Sequence, residues 1–127
     1  MIKNLLVCMV FLNPILVIAG KDDLNQGGCY AIVTWRVQND KPTSKELLNL
    51  GAKYATRVQS VVKQAGACQT PQGNLSPDCL KTKLSASDYD LFDGFLRGMN
   101  GANLPQDPSK LPNHEVLSTM FCASLLK

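Results

Sequence analysis

The chain is poor in the residues that usually announce chemistry. It has one histidine, His114, and one tryptophan, Trp35, in 127 residues. A serine or cysteine nucleophile needs a general base, and only a single imidazole is on offer. No G-x-S-x-G, H-E-x-x-H or phosphate-binding glycine loop occurs. There is no C-x-x-C, which leaves a thioredoxin-type redox role without its motif. The cysteines are too far apart in sequence for the paired close ligands of a structural zinc site. Charge of one sign is lacking as well: 13 basic and 10 acidic residues leave a formal net charge of +3. The lysines and arginines, Arg36 and Arg57 among them, are scattered without forming a block. That balance argues against nucleic acid or an anionic membrane surface as the partner. Internal repeats and low-complexity tracts are absent too. These deficits point away from an enzyme and from a cofactor.

What is present begins at the N-terminus. Lys3 supplies a positive start, an apolar run of about 14 residues follows, and Val17 and Ala19 are small side chains at a cleavage position. The run is shorter than the ~20 residues that span a bilayer as a helix, and Asn13 and Pro14 interrupt it. Residues 1–19 therefore read as a secretory signal peptide cut after Ala19, with residues 20–127 as one mature domain. No later stretch is apolar enough to cross a membrane. Export places the mature chain in an oxidising compartment, most simply a bacterial periplasm and otherwise the extracellular space. Of the five cysteines, Cys8 leaves with the leader. Cys29, Cys68, Cys79 and Cys122 remain as an even set.

Four cysteines permit three pairings. If the first two helices form an antiparallel hairpin turning near Asp40, Cys29 lies opposite Lys53. Cys68 would then sit ~22 Å further along at ~1.5 Å per residue, well beyond the ~7 Å a disulfide tolerates between Cα atoms. Cys68 with Cys79 closes a short loop containing Pro71, Gly73 and Asn74. That leaves Cys29 with Cys122, joining the first helix to the last.

The element pattern is helical with one ambiguity. Residues 24–38 alternate, with Cys29, Ala31, Val33, Trp35 and Val37 against Tyr30, Ile32, Thr34 and Arg36, and local propensity says strand. No second convincing strand exists to pair with it, and a lone strand leaves its backbone groups unmatched. The segment is assigned to a helix on context. Residues 20–23 before it read as polar and loose. Thr43, with Glu46 three positions on, reads as a capping box. The helix it opens places Leu47, Leu48, Gly51, Tyr54, Ala55, Val58, Val61, Val62 and Ala65 on one face and ends near Gly66. Gly51, Ala52 and Ala55 would admit a close neighbour. Ser76-Pro77 starts a short helix. Ser85 or Ser87 caps the next, with Leu91, Phe92, Phe95, Leu96 and Met99 inward and Asn100-Gly101 as its stop. Residues 102–112 carry Pro105, Pro108 and Pro112 and read as a surface strap. Asn113 is expected to cap a last helix that buries Val116, Leu117, Met120, Phe121 and Leu125.

Three groupings invite functional readings. Asp88, Asp90, Asp93 and Gly94 resemble a calcium loop, but the spacing is wrong by one residue and Met99 stands where the bidentate glutamate belongs. His114-Glu115 point about 100° apart on a helix and read as a solvated helix start. Trp35, Tyr30 and Tyr54 form a candidate interface patch on the first helix pair, with core packing as the plainer reading.

The sequence thus implies an all-α single small domain of four to five helices, stapled by two disulfides. It implies an exported, non-catalytic protein that binds another macromolecule, most concretely a periplasmic immunity or inhibitor protein neutralising a toxin or hydrolase. An accessory component of a cell-envelope secretion or conjugation assembly is the alternative, and a small apolar-ligand carrier a further one.

Overall fold

A computed structural model describes residues 14–126. The proposed leader lies outside the described residues as far as Asn13. Five helices follow in order: α1 (Pro14–Gln38), α2 (Lys45–Gly66), α3 (Pro77–Lys83), α4 (Ala86–Ala102) and α5 (Asn113–Cys122), which ends in a 3-10 turn, Ala123–Leu126. The described residues contain no strand; a single isolated bridge pairs Gln69 with Leu75.

The ambiguous segment is helical because α1 is the central element. It packs against α4, α5 and α2, so apolar residues are needed on nearly every side. Cys29, Ala31, Ile32 and Val33 are all buried. A helix enclosed on three sides loses the 3.6-residue pattern that marks a surface helix. Residues 20–23, expected to be loose, belong to the same helix. Asp23 explains part of this: its carboxylate takes hydrogen bonds from Arg57 of α2 at 3.0 Å and from Ser87 of α4 at 2.8 Å.

The core has two clusters, each holding one disulfide. Cys29, Ile32, Val33, Leu50, Ala102, Phe121 and Cys122 form one. Val58, Val61, Ala65, Leu80, Leu84, Leu91 and Phe92 surround Cys68 in the other. Cys29 is bonded to Cys122 with Cα atoms 4.9 Å apart, tying α1 to the end of α5. Cys68 is bonded to Cys79 with Cα atoms 5.5 Å apart, closing the loop between α2 and α3.

α1 meets α4 through glycine. A Cβ on Gly94 would fall 2.0 Å from the Leu24 carbonyl oxygen, and one on Gly27 would fall 1.9 Å from that of Leu91. Backbone therefore rests on backbone at this crossing. On α2, Gly51 faces Val33 of α1, whereas Ala52 is exposed; the closest helix approach lies on α4 rather than on the small-residue stripe of α2.

Several boundaries differ from those read in the sequence. Ser44, not Thr43, caps α2 by accepting from the Leu47 amide at 3.2 Å. The Thr43 hydroxyl instead donates to the Lys41 carbonyl within the turn, where Asp40 adopts a positive φ of 54°. Ser85 caps α4. That helix runs past Asn100-Gly101 to Ala102, because Asn103 follows and ties back to the Met99 and Asn100 carbonyls. Pro112 occupies the N-cap position of α5 with no side-chain cap. Asn113 is diverted: its side chain donates to the Leu104 carbonyl at 2.9 Å and its amide to Gln106 Oε1 at 2.8 Å. These bonds knit residues 103–112 into a strap lying across the surface.

The expected inward face of α5 is also corrected. Phe121 is buried and Leu117 half-buried, but Val116 is 45 % and Met120 57 % exposed. α5 packs against α1 and α4, and among the described residues no helix covers the side that carries Val116 and Met120.

Candidate functional site

The most unusual side chain is Arg36, in the last turn of α1. It is only 9 % exposed and, among the described residues, is the one charged side chain that is buried. Nη1 lies 2.8 Å from His114 Nδ1, Nη2 donates to the Pro42 carbonyl, and Nε is sealed from solvent with no partner. Both partners are uncharged acceptors. The ion pairs among the described residues engage Arg57 and Arg97, so no carboxylate balances Arg36. Its place on the core face follows from helix geometry, since Cys29, Ile32 and Arg36 recur at three- and four-residue steps.

His114 is part of this corner rather than a solvated helix start. Its ring stacks on Trp35 with centroids 5.5 Å apart, and Trp35 Nε1 donates to Asn103 Oδ1 at 3.3 Å. A guanidinium can only donate, so His114 Nδ1 accepts and the ring is neutral. Burial, then the Arg36 charge, holds the His114 pKa below its usual value; Glu115 opposes this and Lys41 adds to it. The imidazole is therefore a wedge between α1 and α5, with its Nδ1 lone pair already committed.

Beside this corner a cleft of about 530 Å³ opens between α2 and α5, with Arg36, Leu47, Leu111, Glu115, Val116 and Met120 in its walls. A second hollow of about 370 Å³ under the strap shares Leu111 and Val116 and adds Leu104. Leu104 is 63 % and Leu111 66 % exposed. Together with Val116 and Met120 they make an apolar strip along the open side of α5. The strip adjoins the buried cation.

The three aromatics singled out in the sequence have separate settings. Trp35 joins the His114 corner. The Tyr30 hydroxyl accepts from Gln59 at 3.0 Å, and its ring lies 6.2 Å from that of Phe95, beside a hollow of about 360 Å³. Tyr54 packs between the two core clusters. Only Trp35 borders the cleft region, through its neighbours Arg36 and His114.

The acidic group near the start of α4 is structural. Arg57 bonds Asp23 at 3.0 Å and Asp88 at 3.1 Å, with Gln26 and Ser87 completing its contacts. Burial works against the Arg57 charge, but the bonds to both aspartates raise its pKa. Asp93 pairs with Arg97. Asp90 is left with a raised pKa, from burial first and then from Asp23 and Asp93. Among the described residues no group of three or more His, Cys, Asp or Glu side chains is placed to hold a metal ion, and no helix is long and apolar enough to cross a membrane.

Sequence reading missed Arg36 and the outward strip. The first carried a signal in its helical phase with Cys29. The second carried none, because Val116 and Met120 share the spacing of core residues. Comparison with known proteins gives no match to any family model, to any curated protein or to any solved structure.

Proposed function

We propose that the mature chain is an exported, non-catalytic protein that binds a protein partner through the open side of α5, most concretely an inhibitor or immunity protein of the cell envelope. The observation that carries this reading is the strip of Leu104, Leu111, Val116 and Met120, all largely exposed. Contiguous exposed apolar side chains rimmed by polar ones are the mark of an interaction surface, and methionine adapts its shape to a partner. The Cys29–Cys122 bond ties the end of α5 to the central helix, so little order has to be gained on binding. The sole histidine, held between Arg36 and Trp35, favours binding over catalysis. The N-terminal leader pattern and the two disulfides favour an oxidising envelope compartment.

The test is capture from the envelope of the source cells with the full chain. Wild-type protein should retain one dominant partner, and Val116→Asp and Met120→Asp should each lose it by at least about tenfold, as expected for an apolar contact given a buried charge. Lys81→Asp, at an exposed position of α3, should retain it. Equal capture by all four proteins would overturn the reading. Recovery of a multi-component machine in place of a single toxin or hydrolase would move it to an assembly component. A retained acyl ligand in native mass spectrometry would move it to a carrier.

A further inference from the structure

We infer that the cleft beside α5 recognises an acidic side chain that a protein partner presents within an apolar segment, with Arg36 as the residue that receives the carboxylate. The inference rests on reading α5 as the partner-binding face and names the chemistry of that partner.

Arg36 has five N–H donors. One goes to the His114 ring and one to the Pro42 carbonyl; Nε is sealed without a partner, so the second hydrogens of Nη1 and Nη2 are the ones left for a ligand in the cleft that Arg36 lines. A buried cation is ordinarily accompanied by a counter-charge, because desolvation is costly without one. Among the described residues none is supplied. Glu115 stands at the wall of the same cleft, exposed, and forms no ion pair with Arg36. Lys41 adds positive potential at the His114 corner. The guanidinium fork fits a carboxylate better than any other common side-chain group. Around it Leu47, Leu111, Val116 and Met120 offer apolar surface, and the Ser118 and Thr119 hydroxyls that share the walls already donate to the His114 and Glu115 carbonyls of α5. A ligand that satisfies both must carry one negative group flanked by apolar ones.

The probe is a pair of peptides, acetyl-Leu-Leu-Glu-Leu-Leu amide and its glutamine counterpart, titrated into the disulfide-bonded protein and followed by amide NMR shifts. The acidic peptide should bind at least about tenfold more tightly, as for a charge-assisted bond with one partner neutralised. Its shifts should centre on Leu47, Leu111, Val116 and Met120. Arg36→Met should bring the two peptides within about twofold of each other, while Arg36→Lys, which keeps the charge and loses the fork, should hold part of the ratio. If Arg36→Met does not fold, the lysine variant and the peptide pair still decide the matter. Equal binding of the two peptides, no binding at millimolar concentration, or shifts centred elsewhere would overturn the inference. Sodium octanoate binding more tightly than the acidic peptide would overturn it in favour of a free amphiphile. A dimer of the free protein abolished by Met120→Asp would overturn it in favour of a second copy. An envelope partner lost by Met120→Asp but kept by Arg36→Met would leave the binding face standing and remove Arg36 from it. A partner indifferent to Met120→Asp would remove the face, whereas the peptide ratio would still judge the cation.

Discussion

Replacing Gly94 by alanine should force α1 and α4 apart. The new methyl carbon would lie 2.0 Å from the Leu24 oxygen, 2.8 Å from the Leu24 carbonyl carbon and 3.0 Å from the Gly28 nitrogen. All three are backbone atoms, so no rotamer change relieves the clash. Ordinary contact begins near 3.4 Å, which means a retreat of about 1.4 Å at the crossing. A gap of ~0.5–1 Å already forfeits a quarter to a half of a dispersion contact. Leu91 and Phe92, buried on α4, would lose partners along the seam. Overpacking of a tight interior costs roughly 1–3 kcal/mol, and the absence of side-chain relief puts this site at the upper end. Alanine returns about 0.8–1 kcal/mol through helix propensity. The net loss is about 2 kcal/mol, or roughly 10 °C in Tm for a domain of this size. Gly66→Ala is the control: nothing lies within 4 Å of its added carbon, so only the propensity gain remains and Tm should rise by a few degrees. Thermal and urea unfolding by far-UV circular dichroism, with disulfides intact, measures both. A Gly94→Ala protein as stable as wild type would refute the backbone-on-backbone crossing.

The disulfides, His114 and the cap of α2 each have a measurable consequence. Removing Cys29–Cys122, which spans 93 residues, should cost about 4.7 kcal/mol in the chain-entropy model. Removing Cys68–Cys79, which spans 11, should cost about 2.8 kcal/mol; urea unfolding of the paired alanine variants checks the order, which reverses if the loops are not the dominant factor. His114 has its folded-state pKa lowered from 6.5, so the unfolded chain takes up a proton first as pH falls. Its contribution is complete above about pH 6.5 and is lost through the window just below, until the folded form is protonated too. As the chain has a single histidine, His114→Gln should flatten the stability profile just below about pH 6.5; an unchanged slope would show that Nδ1 is not held as an acceptor. Ser44→Ala should cost about 1 kcal/mol as a lost N-cap, and Thr43→Ala distinctly less, by thermal unfolding; the opposite order would restore the capping register read from the sequence.

How far the fold was legible depends on how each element is surrounded. α2 has one buried face and one wet face, so its period, its length and its inward valines are plain in the sequence. The disulfide pairing was open to argument because helix rise sets a hard limit on which cysteines can meet. α1 was harder. Its alternation of β-branched and aromatic residues comes from burial against α2, α4 and α5, and local propensity cannot distinguish that from a strand; only the lack of a second strand settled it. The caps were misread by a residue where competing partners exist: Thr43 has the Lys41 carbonyl and Asn113 has the strap. Those partners are set by the path of the turn, which sequence spacing does not encode.

The candidate site was legible least, for a physical reason. Hydrophobic periodicity reports which residues share a helix face and says nothing about whether a second element covers that face. Val116, Met120 and Phe121 have equal claims to the core by spacing, yet Phe121 sits on Gly28 of α1 and the other two look outward. The same holds in reverse for Arg36. Among scattered basic residues it reads as surface, and only its phase with Cys29 on a helix enclosed by neighbours makes it interior. A buried cation and an outward apolar strip are each a departure from the pattern that folding alone rewards. They occur side by side, at the end of the central helix and along the helix bonded to it by Cys29–Cys122. Folding has no use for either there, whereas a partner carrying one negative charge among apolar side chains would use both.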